Sequence, residues 1–229
     1  DLRELASWLE LPHPPRRVDG FDISNISGTL AVASMVCFIE GKPERGRYRR
    51  FRIRDVEGQD DFACMAETVR RRYTRVKYQN PEAMPDLIVV DGGKGQLNAA
   101  HAELTKLGLE TLPIIGLAKQ FEEVFRIGHS EALRIPYDRG ALQLLQRIRD
   151  ESHRFANSYN AKLRAKRISE SVLDEMPGLG FKRKTELLKQ FGTIHNIRDA
   201  SLDQLTQTPG IGEKTAIAIQ TFLKGRLRG

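Results

Sequence analysis

Apolar and polar residues alternate from Arg17 to Ile26, and a largely apolar run follows from Thr29 to Glu40, so both segments read as strands around a Ser27-Gly28 turn. Gly41-Lys42-Pro43 marks a second turn into a third strand over Arg47 to Val56, which completes an antiparallel meander. Before it, Leu2 to Leu9 reads as a short helix ended by Pro12, Pro14 and Pro15. After it, Phe62, Met65 and Val69 recur at helical spacing between Asp60 and Val76, with Asp60 or Asp61 suited to the N-cap. The unbroken apolar run from Asp86 to Val90 is the pattern of a strand buried on both faces. A helix over Gly95 to Leu107, a buried strand over Pro113 to Leu117 and a long helix over Ala141 to Arg167 complete the order βββαβαβα. That order predicts an α/β domain, a mixed sheet flanked by helices.

From Ser171 the pattern becomes a half-repeat. The stretch from Leu173 to Pro177-Gly178-Leu179-Gly180 resembles that from Leu202 to Pro209-Gly210-Ile211-Gly212, with the hairpins some 32 residues apart. Each copy reads as helix, glycine hairpin, helix. The division expected is a domain over 1–163, a linker over 164–170 and a small all-α tandem helix-hairpin-helix domain over 171–229. Gly178, Gly180, Gly210 and Gly212 permit tight turns, and the helix that follows each offers backbone N–H groups to a phosphate, reinforced by Lys182, Arg183 and Lys214. One such hairpin is compatible with an ordinary turn between helices. Two at a repeat spacing, each followed by lysine, point to non-specific DNA binding.

Charge sharpens this division. Residues 1–150 carry 23 Lys+Arg against 22 Asp+Glu, and residues 151–229 carry 14 against 8, so the tail holds most of the net charge of +7. A basic module beside a near-neutral body suits a polyanion-gripping appendage. Cys37 and Cys64 have no metal-ligand spacing and read as core residues of a cytosolic protein. No segment approaches the roughly 20 apolar residues of a membrane span, and the N-terminus lacks signal-peptide architecture. Without an initiator methionine, the chain reads as a piece of something longer.

Candidate chemistry gathers on acidic residues at strand ends. Asp22 interrupts one apolar strand and Asp91 ends another, and such groups are costly to bury unless a cation compensates them. The element order is that of an RNase H-like fold, whose acidic positions fall here on Asp22, Asp61 in the first long helix, Asp91, and His153 in the last helix. Two carboxylates could bridge a pair of ions roughly 3.5–4 Å apart for phosphodiester hydrolysis. Oxygen-rich ligands favour Mg²⁺ or Mn²⁺, and His153 would complete the shell or accept a proton. Gly92-Gly93-Lys94-Gly95 lacks the spacing of a phosphate-binding P-loop, and no GxSxG elbow is present. Lys94 and Lys119 read as cations near the carboxylates. The run Arg45, Arg47, Arg49, Arg50, Arg52 and Arg54 could lie partly along a DNA backbone, with Arg49 and Arg52 as possible phosphate contacts.

The segments VDGFDISNISG, LIVVDGGKGQLNAA, GLAKQFEEVF and LQLLQRIRDESHRFA, together with the two hairpins, resemble the C-terminal half of the UvrC family over nearly the whole chain. The resemblance implies an RNase H-like endonuclease with Asp22, Asp91 and His153 as its site and Asp61 as an additional acid. It implies a nick 5′ to a lesion in bacterial nucleotide excision repair, damaged double-stranded DNA and UvrB as partners, and a cytoplasmic location without membrane attachment. It also implies that the GIY-YIG domain for the 3′ cut and the UvrB-docking segment lie outside this chain. Ala161 departs from the pattern, which would place a basic DNA contact there. Two other readings stay open. One is a non-catalytic DNA-binding scaffold, which the intact acidic set opposes. The other is a different RNase H-like nuclease such as a junction resolvase, which the tandem hairpins fit poorly.

Overall fold

Seven strands form one mixed sheet in this computed structural model, which describes residues 1–26, 30–56, 60–118 and 122–226, with backbone alone at 25–26, 30–31 and 159–170. The strands are β1 (Arg17–Ile26), β2 (Leu30–Ile39), β3 (Lys42–Pro43), β4 (Arg49–Arg52), β5 (Leu87–Asp91), β6 (Ile114–Ala118) and β7 (Glu123–Arg126). Their order is β3-β2-β1-β5-β6-β7, with β4 also paired to β2. β1 is antiparallel to β2 and parallel to β5, β5 is parallel to β6, and β7 returns antiparallel along β6. The helices of this unit are α1 (Leu2–Leu9), α2 (Asp61–Gln79), α3 (Lys94–Lys106) and the first part of α4 (Gly140–Asp174). The predicted Ser27-Gly28 turn lies outside the described residues.

Two cores occupy the two faces of the sheet, as the two-residue period of a strand requires. Val18 of β1, Val36 and Phe38 of β2, Leu87 and Val89 of β5, and Ile115 and Leu117 of β6 pack with Leu142, Leu145 and Ile148 of α4 and with α1. Phe21, Met35, Cys37, Ile88, Val90 and Ile114 point the other way, onto Met65, Val69 and Tyr73 of α2 and Leu97, Ala100 and Leu104 of α3. The continuous apolar run of β5 is thereby explained, since all five of its residues are buried.

The third strand is shorter than expected. Arg45–Arg47 form a 3₁₀ turn and pairing with β2 covers only Arg49 to Arg52. Beyond it the backbone N–H groups of Arg54 and Asp55 donate to the buried Glu67 carboxylate of α2, at 3.1 and 3.0 Å, so that carboxylate replaces a ladder partner. The edge strand β7 went unanticipated. The helix expected to stop at Arg167 continues to Asp174, through the residues assigned to a linker, and the compact units divide at Ser158 and Tyr159.

The second unit contains the end of α4, α5 (Phe181–Phe191), α6 (Ile194–Asp199), α7 (Leu202–Thr206) and α8 (Glu213–Arg226). Its half-repeat is physical. Leu173 and Leu205, Leu179 and Ile211, and Leu187 and Ile219 are buried counterparts in one core. Gly178 and Gly210 both adopt left-handed backbone, at φ 76° and 81°, where a side chain would be strained.

Asp19, on the α2 side of β1, is a fully buried charge paired with two arginines. It accepts from Arg17 Nε at 3.2 Å, from Arg72 Nη2 at 3.3 Å and from the Tyr73 hydroxyl at 3.4 Å. Asp19→Ala would leave two guanidinium groups without their anion and should destabilise the unit by about 3–5 kcal/mol, seen as a lower denaturant midpoint. A loss below about 1 kcal/mol would show that the arginines reach water instead.

Candidate active site

The parallel register of β1 and β5 pairs Phe21 with Val90, so the next residues, Asp22 and Asp91, stand side by side at the carboxyl edge of the sheet. Both side chains point to the α4 face, which is the edge where open α/β sheets bind ligands. His153, on α4, closes the site from above. Its Nδ1 lies 3.1 Å from Asp22 Oδ2 and its Nε2 lies 2.8 Å from Asp91 Oδ2. One donor atom from each of the three residues falls within 4.8 Å of the others. Two carboxylate oxygens and an imidazole nitrogen make a donor set of the kind that could hold a divalent cation.

Burial sets the electrostatics. Asp22 and Asp91 are almost completely buried, and His153 is partly exposed. Burial is the largest cause that raises the Asp22 carboxyl above its usual range, opposed by the hydrogen bond and charge of His153. His153 is pushed up to about 9, first by its hydrogen bond to Asp22 and then by Asp91, against desolvation. A protonated imidazole therefore offsets part of the repulsion between the two carboxylates.

The last helix is held over this site from its outer side as well. The Tyr48 hydroxyl donates to Glu151 Oε1 at 2.9 Å, and the Tyr48 and Phe155 rings meet edge to face at 5.0 Å. Arg50 stacks over Phe155 at 3.9 Å and donates to the Ser158 hydroxyl at 3.1 Å. Arg149, one turn before His153, donates to Glu122 Oε2 at 2.6 Å. Part of the arginine-rich stretch thus serves the fold.

Not every expected residue joins the cluster. Asp61 takes the first position of α2 while Asp60 caps the helix, accepting from the N–H groups of Phe62 and Ala63 at 3.0 Å each. Asp61 is not among the three grouped donors. The ammonium of Lys94 donates to the Ser130 carbonyl and lies 5.6 Å from the Phe125 ring. Lys119 lies outside the described residues, as does the side chain of Ala161. Arg49 donates to the carbonyls of Gly46 and Tyr48, at 3.1 and 2.7 Å, whereas Arg52 is exposed. In the second unit Lys182 and Lys214 are exposed beside their hairpins, and Arg183 reaches back to the Gly178 carbonyl at 3.4 Å. Sequence reasoning overlooked Gly20 and Ser34, which line the sheet under α4. A glycine inside a strand was the available signal, since it marks a close approach.

A histidine whose folded pKa is raised contributes stability that is complete below its unfolded value near 6.5 and is lost as pH rises through about 9. The metal-free protein should lose stability over that window relative to His153→Gln. Parallel stability curves for the two proteins from pH 6 to 10 would show that the imidazolium does not bridge the carboxylates.

Residues 6–157 match the family model described as the UvrC RNAse H endonuclease domain, and residues 170–224 match the SAM-like helix-hairpin-helix tandem. The UvrABC system protein C of Dehalococcoides mccartyi is 47% identical over 226 residues, covering 97% of this chain and 37% of that protein. The protein of the same name from Gloeobacter violaceus is 46% identical over 98% of this chain and 36% of its own length. That from Moorella thermoacetica is 43% identical over 100% and 38%. Among solved structures, human ENDOV matches with a TM-score of 0.39 and 19% identity over 52% of this chain and 56% of its own. The chain spans little more than a third of the length of these curated relatives, and the match of residues 6–157 to the family model, well over half of the chain, makes it a member of the UvrC family.

Proposed function

We propose that this chain carries a divalent-metal-dependent DNA endonuclease that makes the 5′ incision of nucleotide excision repair, and that its tandem hairpins hold the damaged duplex. The convergence of Asp22, Asp91 and His153 at one sheet edge is the observation that supports this most directly. Asp22 and Asp91 would hold Mg²⁺ or Mn²⁺ through carboxylate oxygens, with His153 as the nitrogen donor. When bound, such an ion supplies Lewis-acid polarisation of the phosphodiester and lowers the pKa of water. His153 must give up its proton before a ring nitrogen can act as a ligand, so metal occupancy and imidazole deprotonation are coupled.

The family relation sets aside a junction resolvase, and the intact donor set favours a working nuclease over an inert scaffold. UvrB is the expected partner on the lesion, engaged through a segment outside this chain. A cytoplasmic location accords with both, and no helix among the described residues is long and apolar enough to cross a membrane.

Asp22→Asn or Asp91→Asn should abolish nicking of a lesion-bearing, 3′-pre-cut duplex assembled with UvrB, in Mg²⁺ or Mn²⁺, while DNA affinity stays within a few fold. Full nicking by either variant would remove that carboxylate from the site. For the hairpins, replacing Lys182, Arg183 and Lys214 together should weaken duplex binding and flatten its log–log salt dependence by about 0.9 for each phosphate no longer neutralised. An unchanged slope would leave the hairpins as structural turns and shift the grip on DNA to Arg52 and its neighbours.

A further inference from the structure

Gly20 occupies the middle of β1, two residues before Asp22 and on the same face of the sheet. Its backbone is not left-handed, so conformation does not require glycine there. Space does. A Cβ at residue 20 would stand 2.5 Å from Ile148 Cγ2 of α4, 3.2 Å from the Ser152 hydroxyl oxygen and 3.2 Å from Val36 Cγ2. Ordinary carbon contacts begin near 3.5 Å, so any side chain would push α4 away from β1 by about 1 Å or force Ile148 to repack. The helix therefore rests directly on bare strand backbone, one turn before His153.

A second contact acts at the same level. Ser34 of β2 is paired in register with Asp22 and is fully buried. Its hydroxyl donates to the Ser152 carbonyl at 3.2 Å, the carbonyl of the peptide that leads into His153. Ser152, also buried, turns its own hydroxyl back to the Ile148 carbonyl at 2.9 Å. Among apolar neighbours a buried hydroxyl is retained at a cost unless it is bonded, so this pair specifies one rotation of α4 in a way that aliphatic packing cannot.

We propose that Gly20 and Ser34 are positioning residues of the active site, Gly20 setting the depth and Ser34 the rotation at which α4 presents His153 to Asp22 and Asp91. Neither touches the three donor atoms. Both act through the helix, and the 3.1 and 2.8 Å approaches of His153 to the two carboxylates depend on them. The inference rests on the metal-site reading for its consequence in catalysis, although the placement of His153 can be read without a metal.

The test uses the full chain and two readouts, the ¹⁵N resonances of the His153 ring in metal-free protein, assigned with His153→Gln, and Mn²⁺ affinity by calorimetry. Gly20→Ala should shift the His153 resonances and weaken Mn²⁺ binding by about tenfold. Ile148→Leu removes the obstructing Cγ2 at nearly constant volume, so Gly20→Ala with Ile148→Leu should return the His153 resonances toward their wild-type positions and Mn²⁺ affinity to within two- to threefold of wild type. Ser34→Ala, a smaller change that keeps the fold accessible if Gly20→Ala does not, should move both readouts in the same direction. His153 resonances unchanged in a folded Gly20→Ala or Ser34→Ala protein would overturn the proposal, as would a loss that the second substitution fails to recover. Wild-type protein that binds no Mn²⁺ would instead count against the nuclease reading, and the ring resonances would still decide the positioning roles.

Discussion

Two carboxylates stand next to each other on neighbouring parallel strands, both out of water, and the architecture around them is shaped by that repulsion. Like charges so close cannot both ionise without a cation between them. In the metal-free protein the cation is His153, raised to about 9 by the two carboxylates it faces. On the proposed reading, a metal ion would take over this charge compensation once His153 had given up its proton. A helix that brings the histidine must come close to the sheet, and bare backbone at Gly20 with a bonded hydroxyl at Ser34 lets it do so.

Much of this was legible in the pattern of residues. Asp22 and Asp91 announced themselves because a charged group interrupts or ends an apolar strand, which is costly without compensation. His153 could be added only in their company. Asp61 was less readable: two adjacent aspartates precede α2, and sequence cannot tell which caps the helix, nor on which face of the sheet the helix packs. The short third strand was hidden for a different reason. Glu67 lies on another element, and its capture of the Arg54 and Asp55 backbone is a tertiary event that no local pattern carries. The stretch 164–170, expected as a linker between two domains, has no glycine or proline to break α4, and helix formers prevailed. Gly20 and Ser34 are small residues whose meaning appears only once α4 is seen above them.

In the second unit the repeat was easier to read because it is self-similar. Equivalent positions 32 residues apart carry equivalent tasks: leucine or isoleucine in the core, and glycine at left-handed backbone in each hairpin. The copies diverge at the hairpin tips. Phe181 and Arg183 stand in the first where Glu213 and Thr215 stand in the second, so a shared scaffold presents two chemically unlike tips.

The placement of Asp19 and Asp22 on one strand has a consequence for how the chain finds its register. They sit on opposite faces, one anchored among Arg17, Arg72 and Tyr73, the other under His153. Sliding β1 by a single residue would exchange the faces, burying Asp22 among the apolar side chains of α2 and α3 and turning Asp19, with Arg17 beside it, away from Arg72 and Tyr73 of α2. Each error alone leaves a charge stranded, and the slip commits both together. Mispaired collapsed states are therefore penalised twice, and the aspartate of the candidate site also proofreads the sheet as it assembles.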